Sequence, residues 1–163
     1  MIVTFAHMNL LMDADCLIKL AKSGLKEAVC KAWSVAIPRL VRRETVEQAS
    51  HLPDAVLIGR NIEAGRIVVK AEPGRHAKGE DAVLQLFEAG GFDAVATDDA
   101  RFVRRLRVLG IPYAVPGVIV VRMFHAGHMT LDQAMHALGS LKGYISAEQQ
   151  AAAQLMLTGG VQP

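Results

Sequence analysis

Five short apolar runs, NLLM, SVAIP, RIVVK, DAVAT and IPYAVP, alternate with longer stretches of helical periodicity. Runs this short, rich in β-branched residues and bounded by Gly or Pro, read as strands. Because they are apolar throughout rather than at every second position, both faces of the sheet must be covered. Strands of that kind separated by helices predict an α/β fold, a three-layer α/β/α sandwich around a central parallel sheet.

The intervening helices have recognisable ends. LIKLAKSG closes at Gly24 and LKEAVCKAW follows it. Pro38 suits the first turn of a helix running through LVRRETVEQAS, and Pro53 opens DAVLIGRNIEAG. GEDAVLQLFEAGG stops at Gly90 and Gly91, and DARFVRRLRVLG places Phe102, Leu106 and Leu109 on one face. From Thr130 onward LDQAMHALGSL and SAEQQAAAQLML read as two further helices before a loose GGVQP end. With 163 residues, 52% of them hydrophobic, the chain suits one domain, 1–163, with a core over about 8–122 and a helical extension over about 123–158.

Composition narrows the function. A net charge of +2 does not by itself indicate a nucleic-acid coat, and an aromatic content of 5% argues against a base-stacking platform. Contact with nucleic acid is therefore expected through phosphates. Cys16 and Cys30 lie in apolar helical patterns without zinc-site spacing and read as unpaired thiols in a reducing, cytoplasmic setting. The apolar start has no basic leader and is interrupted by Asp13 and Asp15, so it reads poorly as a signal peptide, and Met8 or Met12 would serve equally as the first residue. No run approaches the length of a membrane span.

In an open α/β sheet the ligand crevice lies beyond the carboxyl ends of the strands. Acids fall at or near that edge in four places. Asp13 leaves the first strand, with Asp15 two residues on; Glu44 sits in the helix after the second; Glu80 and Asp81 open a helix; Thr97, Asp98 and Asp99 follow the fourth strand. Converging carboxylates repel one another unless cations neutralise them. An all-oxygen donor set fits Mg2+ or Mn2+ better than zinc.

The succession LLMDADCLIKL, PRLVRRET, KGEDAVLQL and AVATDDARF resembles the PIN-domain nucleases, over about Leu10 to Val121, and the tail resembles that of short solitary prokaryotic members related to VapC-like toxins. The resemblance implies strand order 3-2-1-4-5 and a metal-binding, catalytic tetrad at Asp13, Glu44, Asp81 and Asp99, with Thr97 in the family's Thr/Ser position. Asp15 stands where relatives often carry Ser or Asn. Glu80 competes with Asp81, since solitary relatives carry Gly-Glu here and adjacent helical residues point about 100° apart. The eighteen-residue interval from Asp81 to Asp99 fits the family register better than one using Asp98. The implied activity is hydrolysis of RNA phosphodiester bonds, assisted by one or two such cations and leaving 5′-phosphate and 3′-hydroxyl ends. The implied partners are RNA, an antitoxin protein and a second copy of the chain.

An acidic pocket does not attract RNA, so basic side chains must hold its phosphates. Arg101, Arg104 and Arg105 share one helical face, and Arg42 and Arg43 flank Glu44. Each feature also has a plainer reading. Asp13 and Asp15 suit a solvated turn, Glu44 a surface ion pair, Glu80 and Asp81 the helix dipole, and Asp98 and Asp99 a helix cap. The arginines suit a wet helix face. His125 and His128 of HAGH read as loop residues rather than a zinc pair, and Met123, Met129, Met135 and Met156 as core or dimer packing. The rival enzyme is a haloacid-dehalogenase-like phosphatase with Asp13 as nucleophile and Asp15 as acid/base. The rival of another kind is a catalytically silent PIN-like module that binds RNA or protein.

Overall fold

The computed structural model describes residues 7–75 and 78–159. The first six residues of the apolar start and the final GVQP lie outside the described residues. Five parallel strands form one sheet in the order β3-β2-β1-β4-β5. They are β1 (Asn9–Met12), β2 (Ser34–Pro38), β3 (Ile67–Lys70), β4 (Ala94–Ala96) and β5 (Tyr113–Ala114). Each expected apolar run supplies one strand, and the order reverses between β1 and β4, where Leu10, Leu11 and Met12 pair with Ala94, Val95 and Ala96.

Nine helices are described: α1 (Ala14–Lys22), α2 (Lys26–Ala32), α3 (Arg39–Arg42), α4 (Pro53–Glu63), α5 (Gly79–Glu88), α6 (Ala100–Leu109), α7 (Pro116–His125), α8 (Leu131–Leu141) and α9 (Ala147–Thr158). Helix α1 packs on α4 and α7 on one side of the sheet, and α5 packs on β1 and β2 from the other. One hydrophobic cluster extends from Met8 to Leu157, with Leu11, Ile37, Val95, Phe102 and Leu106 fully buried within it. No helix among the described residues is long and apolar enough to cross a membrane.

Three local departures from the expected elements have physical causes. Pro38 ends β2 in extended backbone and precedes the helix instead of occupying its first turn. The single helix expected through LVRRETVEQAS is α3 followed by a π-helical turn, Arg43–Glu47. There the Thr45 hydroxyl donates back to the Val41 carbonyl at 2.8 Å, a bond that competes with the regular helical ladder. Finally, GVIVVRMF forms most of α7, and His125 ends that helix rather than lying in a loop. Ile119, Val120, Val121 and Met123 bury around α7, while α8 and α9 pack on it and cover it.

A network separate from the sheet edge joins α2 to α4. Lys26 is buried and donates to Asn61, to the Leu57 carbonyl at 3.2 Å and to Glu27 at 2.8 Å. Glu27 also accepts from Asn61 and Arg66, and its hydrogen bond with Lys26, above all, holds its carboxyl down at about 2. Cys16 is buried and Cys30 half-buried, both as free thiols.

Candidate acidic cleft

The carboxyl ends of β1 and β4 each deliver an aspartate that caps the next helix. Asp13 caps α1, its Oδ1 accepting from the Cys16 N–H at 2.9 Å. Asp99 caps α6 and accepts from the Phe102 N–H at 2.9 Å. Because β1 and β4 are paired, the two caps open on one crevice. Thr97, fully buried at the end of β4, ties them together: its hydroxyl donates to Asp13 Oδ2 and accepts from the Asp99 N–H at 3.2 Å. The cap reading of Asp99 is thus correct as a local fact, yet the cap engages Oδ1 alone and leaves its second oxygen to the cleft.

The cleft has a volume of about 290 Å3 and is lined by Asp13, Asp15, Glu44, Glu80, Asp99 and Lys78, with Ala14 and Gly79. Glu44 arrives from the π-helical turn and Glu80 from the first turn of α5. Gly79 lets these two elements approach: a Cβ there would lie 3.0 Å from Glu44 Oε2 and 3.4 Å from Val41. The solvated-turn reading of Asp13 does not fit, since only 6% of the residue is exposed. Its carboxyl is raised to about 7. Burial is the main cause; the bonds from Thr97 and Cys16 pull the other way, and the charges of Asp15 and Asp99 push it up further. Burial also pushes Glu44 above its ordinary value.

The remaining expected residues are placed differently. Asp81 does not line the cleft; its carboxylate accepts from Arg105 at 2.8 Å, and Glu80, one position earlier on α5, lines the cleft instead. The step of about 100° between neighbouring helical residues separates the two. Asp98 is turned aside as well, receiving hydrogen bonds at 2.5 Å from Lys19 and from Gln149 of α9. Lys19 also meets Asp15 at 3.1 Å; burial alone would lower it, but these carboxylate contacts prevail and hold it above the usual lysine value. Arg42 lies 3.6 Å from Glu47, and Arg42, Arg43, Arg101, Arg104 and Arg105 are exposed, none of them lining the cleft.

Two features were not anticipated from sequence. Lys78, the residue before α5, brings a cation to the acidic cleft. Gln149 couples the C-terminal extension to the site, its Nε2 donating to Asp98 while its Oε1 accepts from the Gly117 N–H at 2.9 Å. No run of residues around either one signals the role; only the tertiary fold brings them there.

The five carboxylates supply oxygen donors alone, which suits a hard divalent cation. Among the described residues, no three His, Cys, Asp or Glu side chains form a ready-made cage as placed. The donors surround a cleft wide enough to admit a cation, and the Asp13 carboxyl is raised chiefly by its burial there, with the charges of Asp15 and Asp99 adding to it. A larger cavity of about 630 Å3 lies between α2, α7 and α8, lined mainly by apolar groups such as Leu25, Met123 and Met129, and lacks this convergence of acids. No protein-family model matches the chain, and no curated protein matches it.

Proposed function

We propose that the chain is a PIN-like, metal-dependent endoribonuclease. The observation that carries this reading is the meeting of Asp13, Asp15, Glu44, Glu80 and Asp99, drawn from four separate parts of the chain, around one cleft at the sheet's reversal point. Asp13, Glu44, Glu80 and Asp99 would hold Mg2+ or Mn2+, with Glu80 in the third position in place of Asp81. When bound, such a cation polarises a phosphoryl oxygen and eases the deprotonation of water.

The protein's own groups prepare the site. Thr97 and the Cys16 N–H fix the Asp13 carboxylate before substrate arrives, so no side-chain search is needed during reaction. Lys78 offers an ammonium to a non-bridging phosphate oxygen at the rim of the cleft. The exposed guanidinium groups of Arg101 and Arg104 on α6 hold phosphates outside it. Products with 5′-phosphate and 3′-hydroxyl ends, a toxin role with an antitoxin partner, and a homodimer belong to the same reading through the resemblance. Sedimentation of the 17.6 kDa chain reads the dimer directly.

The phosphatase reading has less support, because Asp15, its acid/base, is already engaged by the Lys19 ammonium at 3.1 Å. A manganese titration followed by thermal unfolding tests the site without knowledge of the RNA. The reading predicts stabilisation of the wild type that is lost in Asp99→Asn and in Glu80→Gln. No shift in the wild type would favour the silent binding module.

A further inference from the structure

A second cavity, of about 460 Å3, lies on the other side of Lys19 from the acidic cleft; its walls include Lys19, Asp98, Arg104, Arg107, Ser146 and Gln149. Lys19 is the partition. It contacts Asp15, which lines the cleft, and Asp98, which lines the cavity. The two openings therefore adjoin, one rich in carboxylates and the other rich in cations.

The charge in the cavity is uneven in an informative way. Asp98, its acid, is already engaged on both oxygens, by Lys19 and by Gln149. Arg104 takes part in no ion pair among the described residues. Arg107 is held without a carboxylate: its Nε donates to the Tyr113 hydroxyl at 2.7 Å and its guanidinium carbon lies 5.6 Å from the centre of that ring. Those contacts orient the fork while leaving its terminal nitrogens free to donate. Ser146 accepts from the Gln149 N–H, so its own hydroxyl proton is available as a further donor. Two forked cations and a hydroxyl around a space of this size form a receptor for a tetrahedral dianion or a phosphodiester.

We propose that this cavity is a phosphate subsite, built jointly by α6 and the start of α9, which holds a phosphate of the substrate beside the bond that is cut. As a part of the substrate path it rests on the nuclease reading; as an anion site it does not. On this account the C-terminal extension completes the substrate surface as well as covering α7. The strand runs over the α6 side of the cleft, where Arg104 and Arg107 lie, rather than past Arg42 and Arg43.

The test uses the full chain with EDTA, so that no cleavage intervenes, and a fluorescent single-stranded RNA of about ten nucleotides read by anisotropy. Arg104→Ala and Arg107→Ala should each weaken binding about fivefold or more and lower the slope of log K against log salt by about one. Arg60→Ala, which removes the same charge from the exposed face of α4, should change neither. Competition by adenosine 5′-monophosphate and by inorganic pyrophosphate separates the sources. Displacement by either at equal occupancy assigns the subsite to free phosphates as well, and displacement by RNA alone assigns it to the polynucleotide backbone.

Arg104 has no ion-pair partner to lose among the described residues, so its variant keeps the question open should Arg107→Ala fail to fold. Wild-type affinity and salt slope in both variants, or no binding of any of the three probes by the wild type, would overturn the subsite. Loss of binding in both variants, together with a wild type that cleaves no RNA when Mn2+ is restored, would leave the subsite standing and refute the nuclease reading alone.

Discussion

Replacing Asp13 with Asn removes a buried charge and little else. The amide oxygen can accept from the Cys16 N–H as Oδ1 does now, and the amide nitrogen can donate to the Thr97 hydroxyl, reversing the present bond. Without a cation, Asp13 titrates at about 7 in the folded chain against 3.8 for the free side chain. Between those values the native state keeps a proton that the unfolded state has released, so wild-type stability falls as pH rises through this window. A difference of roughly three units corresponds to about 4 kcal/mol, fully expressed above the folded pKa and absent below the unfolded one. Urea denaturation in EDTA should therefore find Asp13→Asn more stable than wild type by up to about 4 kcal/mol near pH 8, with the gap closing toward pH 4. A difference that does not vary with pH, or a variant less stable than wild type near pH 8, would refute a carboxyl raised by its burial at this position. With saturating Mn2+ the order at pH 8 should reverse, because the ionised wild-type carboxylate then gains a cation.

Glu80→Gln should abolish the manganese-induced rise in melting temperature and lower RNA cleavage at least a hundredfold, whereas Asp81→Asn should stay within about fivefold of wild type in cleavage, because Asp81 is engaged by Arg105 away from the cleft. Gly79→Ala should impair metal response with little loss of fold, as its Cβ would press on Glu44 Oε2 from 3.0 Å; isothermal titration with Mn2+ reads the weakened affinity. Lys26→Met should cost about 2 to 3 kcal/mol in urea denaturation, since it leaves Asn61 and the Leu57 carbonyl without their buried donor, while the manganese response persists.

Much of this architecture is legible in the chain because strand burial and acid placement share one pattern. LLM and AVA are apolar throughout, so they belong in the interior of a sheet, and the residues that end them, Asp13 and the Thr97 to Asp99 segment, necessarily emerge at its carboxyl edge. Helix α7 was hidden by the same logic. GVIVV is as β-branched as a strand, and an apolar run buried on most sides carries no period to tell helix from strand. The choice between Glu80 and Asp81 depends on the rotational phase of α5, which the packing of Ala82, Val83 and Leu84 fixes and a count of residues along the chain does not. The coupling of Asp98 to Gln149 spans 51 positions and involves a glutamine with no local signature, so it becomes visible only when α9 is folded against the site.

Cleavage of a mixed RNA pool by purified protein tests the proposal that one acidic cleft, charged with a divalent cation, cuts RNA. Endonucleolytic products bearing 5′-phosphate and 3′-hydroxyl ends are expected in Mn2+ or Mg2+, none in EDTA, and none with Asp13→Asn or Asp99→Asn despite their retained fold. Cleavage that survives EDTA or either substitution, or a wild type that binds Mn2+ and leaves every RNA intact, would contradict it.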